Sequence, residues 1–134
     1  MNYRIVDDLD QMNLSDIISL LKEQHFYAKR SDEQIEKSAR NSSCYGIYVE
    51  GESKLAGFAR VISDYATTYY LCDVVIDEDY QHKGLGTALV SYIESLPVYE
   101  GLRGILVTRD AHSLYRKFGY EVVDGRVMIK GLNC

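Results

Sequence analysis

With 134 residues, 46 % of them hydrophobic, the chain carries enough apolar material for one core and hardly two, so a single domain over residues 1–134 is expected. A formal charge of −5 argues against nucleic acid as the main partner, because phosphate backbones are held by clustered lysine and arginine; a cationic amine suits an acidic surface better. No apolar run approaches the roughly 18 residues that a membrane helix needs, and Met1-Asn2-Tyr3-Arg4-Ile5 lacks the pattern of a secretory signal, so no membrane partner and a cytoplasmic location are expected.

In chain order, Tyr3–Val6 reads as a short strand. Leu14, Ile17, Ile18 and Leu21 then mark one face of a helix that Asn13 can cap. A second helix follows Ser31, where Ser31-Asp32-Glu33-Gln34 has the form of a capping box. Residues 44–50 and 54–62 read as strands joined at Gly51, and residues 67–76 as a third, which together predict an antiparallel meander. Cys44, Cys72 and Cys134 are an odd number without Cys-x-x-Cys spacing, so reduced thiols are expected; three scattered histidines offer no metal site.

Residues 71–76 are an apolar run and 88–96 an amphipathic one, and Gln81-His82-Lys83-Gly84-Leu85-Gly86-Thr87 lies between them, so a strand feeds a glycine loop that opens a helix. Amides at a helix start have no intrahelical partners and sit at the positive end of the helix dipole, and glycine lets a diphosphate come close. A P-loop is excluded because Lys83 precedes both glycines, and a dinucleotide fingerprint because Leu89 stands where its third small residue is needed. Residues 102–107 are strand-like and should lie parallel to the 67–76 strand across the helical crossover. Apolar residues 111, 114, 115 and 118 then follow one helix face, with Asp110 as N-cap and Gly119 as the left-handed residue that ends it. Asp124-Gly125 divides two β-like runs into a closing hairpin.

The Gln-x-x-Gly-x-Gly loop at 81–86 and the segment Ala111-His112-Ser113-Leu114-Tyr115-Arg116-Lys117-Phe118-Gly119-Tyr120 resemble, in that order, the two signature stretches of the GNAT N-acetyltransferase superfamily. The resemblance implies an α/β (mixed α+β) fold, with a mostly antiparallel twisted sheet, flanking helices and a central βαβ crossover. It implies acetyl-coenzyme A as cofactor, held by Val74, Val75 and Ile76 at the strand end, by loop residues Gln81, His82, Lys83, Gly84, Leu85, Gly86 and Thr87, and by Thr108 and Tyr115. His82 and Lys83 are expected to face solvent while the amides bind. Thr108 stands where the family often has asparagine, near the pantetheine arm.

Acyl transfer from a thioester to an amine needs no covalent enzyme intermediate, and the chain lacks a Gly-x-Ser-x-Gly elbow. Three tasks remain: taking a proton from the amine, stabilising the developing oxyanion and protonating the departing thiolate. The resemblance assigns the oxyanion to the main-chain N–H of Val74 and the thiolate to the Tyr115 phenol. Asp73, in an otherwise apolar run, is either a desolvated base or a structural carboxylate paired with Arg60 or Arg4. Alternation turns Asp73 and Val74 to opposite faces, so Asp73 reaches the reaction centre only through a bulge or as part of the acceptor pocket. The acceptor, an amine of a small molecule or peptide, is expected at residues 24–30, where Phe26 and Tyr27 are either the walls of a pocket or, more commonly for such residues, helix-packing aromatics, and Arg30 either holds a carboxylate or is a solvated arginine; the 63–67 loop adds polar contacts at the same mouth. An acyl-coenzyme A sensor or interaction module would use the same cradle, and the Tyr-rich strands could pair two copies into a homodimer.

Overall fold

The structure is a computed structural model that describes residues 1–24 and 27–131. Five strands form one sheet in sequential order: β1 (Tyr3–Val6), β2 (Ser43–Val49), β3 (Gly57–Ser63), β4 (Thr68–Ile76) and β5 (Arg103–Ile105). The first four are antiparallel, and β5 joins β4 in parallel after a crossover through a helix. Helices α1 (Leu14–Lys22) and α2 (Asp32–Arg40) precede β2, α3 (Leu85–Glu94) forms the crossover, and α4 (His112–Arg116) follows β5.

Each element starts where its sequence supplies a cap or a face. The Asn13 side chain accepts the Ser15 amide at 2.9 Å and opens α1, and Ser31 Oγ accepts the Gln34 amide at 3.1 Å and opens α2. Ile17, Leu20, Leu21 and Ile35 then bury against Phe58 and Val75 on one side of the sheet. On the other side α3 lays Leu85, Leu89, Val90 and Ile93 against Ile47, Val61 and Leu71. Full burial of one such side chain is worth about 1.5–3 kcal/mol, so these two layers fix the sheet between the helices.

One end of the sheet is tied together by tyrosines. The Tyr45 and Tyr99 hydroxyls are 2.6 Å apart, the Tyr69 and Tyr99 rings lie 4.8 Å apart, and Tyr65 stacks on Tyr99 at 6.0 Å. Tyr69 and Tyr120 both donate to the Glu94 carboxylate at the end of α3. Gly104 makes this closure possible, since a Cβ there would lie 2.6 Å from the Tyr120 hydroxyl and 2.8 Å from the Tyr69 ring.

Four expectations need correction. The 102–107 strand is only Arg103–Ile105, because β5 pairs with Thr68–Tyr70 and then leaves the sheet. Asp110 is not the cap of α4; Ala111 holds that position, and its amide donates to Thr108 Oγ1 at 3.1 Å. Asp124-Gly125 does form a turn, with Gly125 at φ 74°, but the flanking runs do not pair as strands and leave Val122, Val123, Val127 and Ile129 exposed. A two-stranded ribbon is marginal by itself, and β5 ends too early to extend the sheet to it. The 63–67 loop lies at the tyrosine-tied end, where Asp64 spends its carboxylate on the amides of Ala66, Thr67 and Thr68. Those bonds hold the Asp64 carboxyl well below the usual range.

Candidate functional site

The site begins where β4 loses its neighbour. Beyond Tyr70, no described strand pairs with the side of β4 that faces β5, whereas β3 stays paired with β4 as far as Ile76. The main chain of residues 71–76 is therefore open along one edge, as a strand-like ligand requires.

Within this stretch β4 carries a bulge. Phe58 faces Val75 and Arg60 faces Cys72, so three steps of β4 oppose two of β3, and Asp73 takes φ 54° to absorb the extra residue. The bulge turns the Asp73 side chain to the same face as its neighbour Cys72 and the cross-strand Arg60. Asp73 Oδ2 accepts Arg60 Nε at 2.5 Å and Arg30 Nη1 at 2.8 Å, with only 2 % of the Asp73 side chain exposed. Of the two readings of Asp73, the paired carboxylate is the one the geometry shows, with Arg60 as expected and Arg30 in place of Arg4: Asp73 is buried between two guanidinium groups. Arg4 is not a partner, and its guanidinium sits 4.5 Å over the Tyr48 ring. Arg60 also donates to Ser42 Oγ at 3.0 Å. Burial alone would lower the Arg60 pKa, but Asp73 overrides it and the net shift is upward.

Residues 27–30, part of the segment where the acceptor is expected, dock on this bulge. Arg30 Cζ lies 4.6 Å over the Tyr27 ring, and burial, with Asp73 next, pushes the Tyr27 hydroxyl up to about 12. Tyr27 packs on the α1–α2 side of the core. Phe26 lies outside the described residues. Cys44 and Cys72, both free thiols, flank Arg60 from the two adjacent strands and are pushed up to about 11, chiefly by burial.

Past Ile76 the chain is anchored before it reaches the glycines. Asp77 is 3 % exposed, its amide donates to the Ala56 carbonyl at 2.7 Å, and its carboxylate accepts the Asp79 amide and Lys54 Nζ, both at 2.9 Å. Sequence reasoning missed this anchor, although Asp77-Glu78-Asp79 after an apolar run is a readable Asx turn. Burial by itself would raise the Asp77 pKa; the Lys54 and Asp79 hydrogen bonds outweigh it and leave it lowered. Asp77→Ala is expected to cost roughly 1 kcal/mol of stability at neutral pH, as a lost cap does. The depressed carboxyl stabilises the fold above its unfolded value near about 4 and ceases to as pH falls through its lower folded value, so thermal unfolding from pH 7 to pH 2 should show the variant's deficit shrinking with acid.

The loop itself is exposed from Gln81 to Gly84. The Gln81 side-chain amide donates to the Ile76 carbonyl at 3.2 Å and so ties the loop to the strand end. His82 at φ 63° and Gly84 at φ 80° are both left-handed, a pattern that turns successive amides into a concave nest. Lys83 Nζ lies 5.9 Å from the Tyr80 ring centre. Gly84 is the N-cap of α3 and no side chain caps that helix; the Ala88 amide is bonded to the Gly84 carbonyl at 3.0 Å, one turn in. The amides of Leu85, Gly86 and Thr87, at the start of the helix, are thus free to hold an anion. Space in front of Gly84 is open, since a Cβ there would meet nothing within 4 Å, and at Gly86 it would meet only Ile76 Cγ1 at 3.6 Å.

Tyr115 is 8 % exposed on α4, inside the α3-side core, with its ring edge-on to Tyr120 at 6.1 Å. Burial, and then Glu94, raise its pKa. It borders a cavity of about 890 Å³ that lies not at the glycine loop but between β5 and the exposed tail, with Val107, Val122 and Val127 in its wall. Val74 packs partly buried on the α3 side, opposite to Asp73. The structure thus brings Asp73, Arg30 and Tyr27 together at the bulge, puts Val74, Val75 and Ile76 on the open edge that leads to residues 81–87, and gives Tyr115 and Thr108 to the α4 segment.

The sequence profile of the acetyltransferase (GNAT) family matches residues 13–120. A curated relative, the chloroplastic GCN5-related N-acetyltransferase 2 of Arabidopsis thaliana, is 35 % identical over 72 residues, which cover 52 % of this chain. The match covers 28 % of that protein, so this chain corresponds to under a third of the relative's length. Among solved structures, a GNAT-family protein of Xanthomonas campestris superposes with a TM-score of 0.88 at 28 % identity, covering 97 % of this chain and 93 % of that one. The glucosamine-6-phosphate N-acetyltransferase of Arabidopsis thaliana superposes with a TM-score of 0.69 at 18 % identity, over 97 % and 99 % of the two chains, and shares the fold.

Proposed function

Since the chain belongs to the acetyltransferase (GNAT) family, we propose that it transfers an acetyl group from acetyl-coenzyme A to a primary amine of a small molecule or peptide by direct attack. The observation that carries this reading is the continuity of two main-chain surfaces: the open edge of β4 at residues 71–76 and the uncapped start of α3.

The residues fit the cofactor. An uncapped helix start behind a left-handed glycine suits a diphosphate, held by the amides of Leu85, Gly86 and Thr87. The open edge at Val74, Val75 and Ile76 suits the amide-bearing pantetheine arm. Thr108 Oγ1 accepts the Ala111 amide and still has its own proton to give to the arm. Bound there, acetyl-coenzyme A supplies an activated acyl group that a neutral amine can take without a covalent enzyme intermediate.

Val74 acts through its main-chain N–H, which orients the acyl oxygen; such a donor in a dry site is worth roughly 3 kcal/mol. Tyr115, whose phenol is kept protonated by burial, donates to the leaving thiolate. Asp73, engaged by Arg30 and Arg60, is a positioning residue, and the amine loses its proton to solvent at the mouth. Tyr115→Phe is expected to lower kcat by at least tenfold and to change the KM for acetyl-coenzyme A less than twofold, read from release of free thiol with an amine panel. Unchanged kcat removes Tyr115 from the chemistry. Saturable cofactor binding without thiol release from any amine would favour the sensor module instead.

A further inference from the structure

We propose that the acceptor amine carries a carboxylate, and that Arg30 and Arg60, bridged by Asp73, form the receptor for it. The inference rests on the acetyl-transfer reading for its location and on the bulge cluster for its chemistry.

Charge supports it first. Two guanidinium groups share one carboxylate, which leaves one net positive charge in a cluster whose side chains are 24 % (Arg30), 11 % (Arg60) and 2 % (Asp73) exposed. Among the described residues, the titratable side chains coupled to this cluster include Tyr27, Tyr70, Cys44 and Cys72, each raised by burial and so neutral at physiological pH. Among the described residues no second carboxylate lies within ion-pair distance of Arg30 or Arg60, in a chain with 20 acidic and 15 basic residues. A partly buried surplus cation is unfavourable unless an anion completes it.

Donor geometry supports it next. Arg60 spends Nε on Asp73 and Nη1 on Ser42, while Arg30 spends Nη1 on Asp73 and is stacked on Tyr27. Arg30 Nε and Nη2 have no protein acceptor among the described residues. A planar guanidinium fixed by an ion pair and a ring retains a fork of N–H groups that matches a carboxylate. One net positive charge suits a monoanion, and the Asp73 carboxylate would repel the second charge of a phosphate.

Position completes it. Asp73 is the chain neighbour of Val74, and the cluster begins just past Tyr70, the last β4 residue paired with β5. A carboxylate held at Arg30 keeps an amine a few bonds away beside the open edge where the acyl group is proposed to lie. An α- or ω-amino acid has that spacing.

The test titrates the coenzyme A-saturated protein calorimetrically with L-amino acids, β-alanine and 4-aminobutyrate, each beside its amide and its decarboxylated amine, and with 2-aminoethyl phosphate. Thiol release from acetyl-coenzyme A is followed with the same panel. At least one carboxylated amine should bind and show a kcat/KM at least tenfold above that of its amide. Arg30→Gln should erase the preference by raising the acceptor KM about tenfold while kcat changes less than threefold, and Arg30→Lys should recover part of it. Thermal unfolding of both variants checks that the fold is intact. Equal or better use of the amides or of the phosphate, survival of the preference in Arg30→Gln, or no binding by any carboxylated amine overturns the proposal. Thiol release with uncarboxylated amines alone would leave acetyl transfer standing and remove the receptor. Carboxylate binding without any thiol release would do the reverse.

Discussion

Gly84→Val should weaken acetyl-coenzyme A binding at least tenfold, measured by calorimetry, and this is the largest effect expected at the cofactor cradle. Gly84 sits at φ 80°, where a β-branched side chain costs roughly 1–2 kcal/mol, so the loop would relax away from the nest. The new side chain would also fill the space in front of the α3 amides, where the protein itself places nothing within 4 Å. Gly86→Ala separates the two causes. Gly86 is helical, and its added methyl makes one ordinary contact with Ile76 at 3.6 Å, so stability should rise by up to about 1 kcal/mol. If a phosphate lies against the space at Gly86, the added methyl crowds it and affinity falls in this variant while Tm increases. A tighter helix with unchanged affinity would show that the cradle does not need the side-chain space left by Gly86.

Asp73→Asn should be the most destabilising single exchange at the bulge, by about 3 kcal/mol, seen as a Tm lowered by on the order of 10 °C. Asparagine tolerates the left-handed backbone at φ 54°, so the change removes charge with little added strain. It leaves Arg30 and Arg60 facing each other without their shared carboxylate, in a pocket where that carboxylate was 2 % exposed. Arg60→Met in the same background should recover part of the loss, since it removes one of the two unpaired cations. A variant as stable as the parent would show that the cluster contributes nothing to the fold.

The elements whose cause is local were readable from sequence. Asn13 and Ser31 cap the helices they precede, Gly119 closes α4 at φ 90°, and the strands of the meander lie within three residues of the expected limits. The two glycine-bearing stretches sufficed for the family because each is a short run of fixed spacing that depends on no distant partner. What depended on distant partners was not readable. Alternation along β4 argued against Asp73, and only the mismatch with β3 at Ala59 shows that a bulge turns it. Arg30 is 43 residues from Asp73, and no local pattern joins them. The closing hairpin failed for the same reason in reverse: its turn is local, but its strands needed an edge that β5 does not provide.

The order of the strands also bears on synthesis. A nascent chain that has cleared the ribosome as far as Ile76 can already zip all four antiparallel strands, since each pairs with the one before it. The crossover and β5 come later, so the parallel edge of the sheet is the last to form. Premature termination before Arg103 would therefore yield not a feeble catalyst but a sheet with the whole length of β4 uncovered, an adhesive edge of the kind that quality control removes.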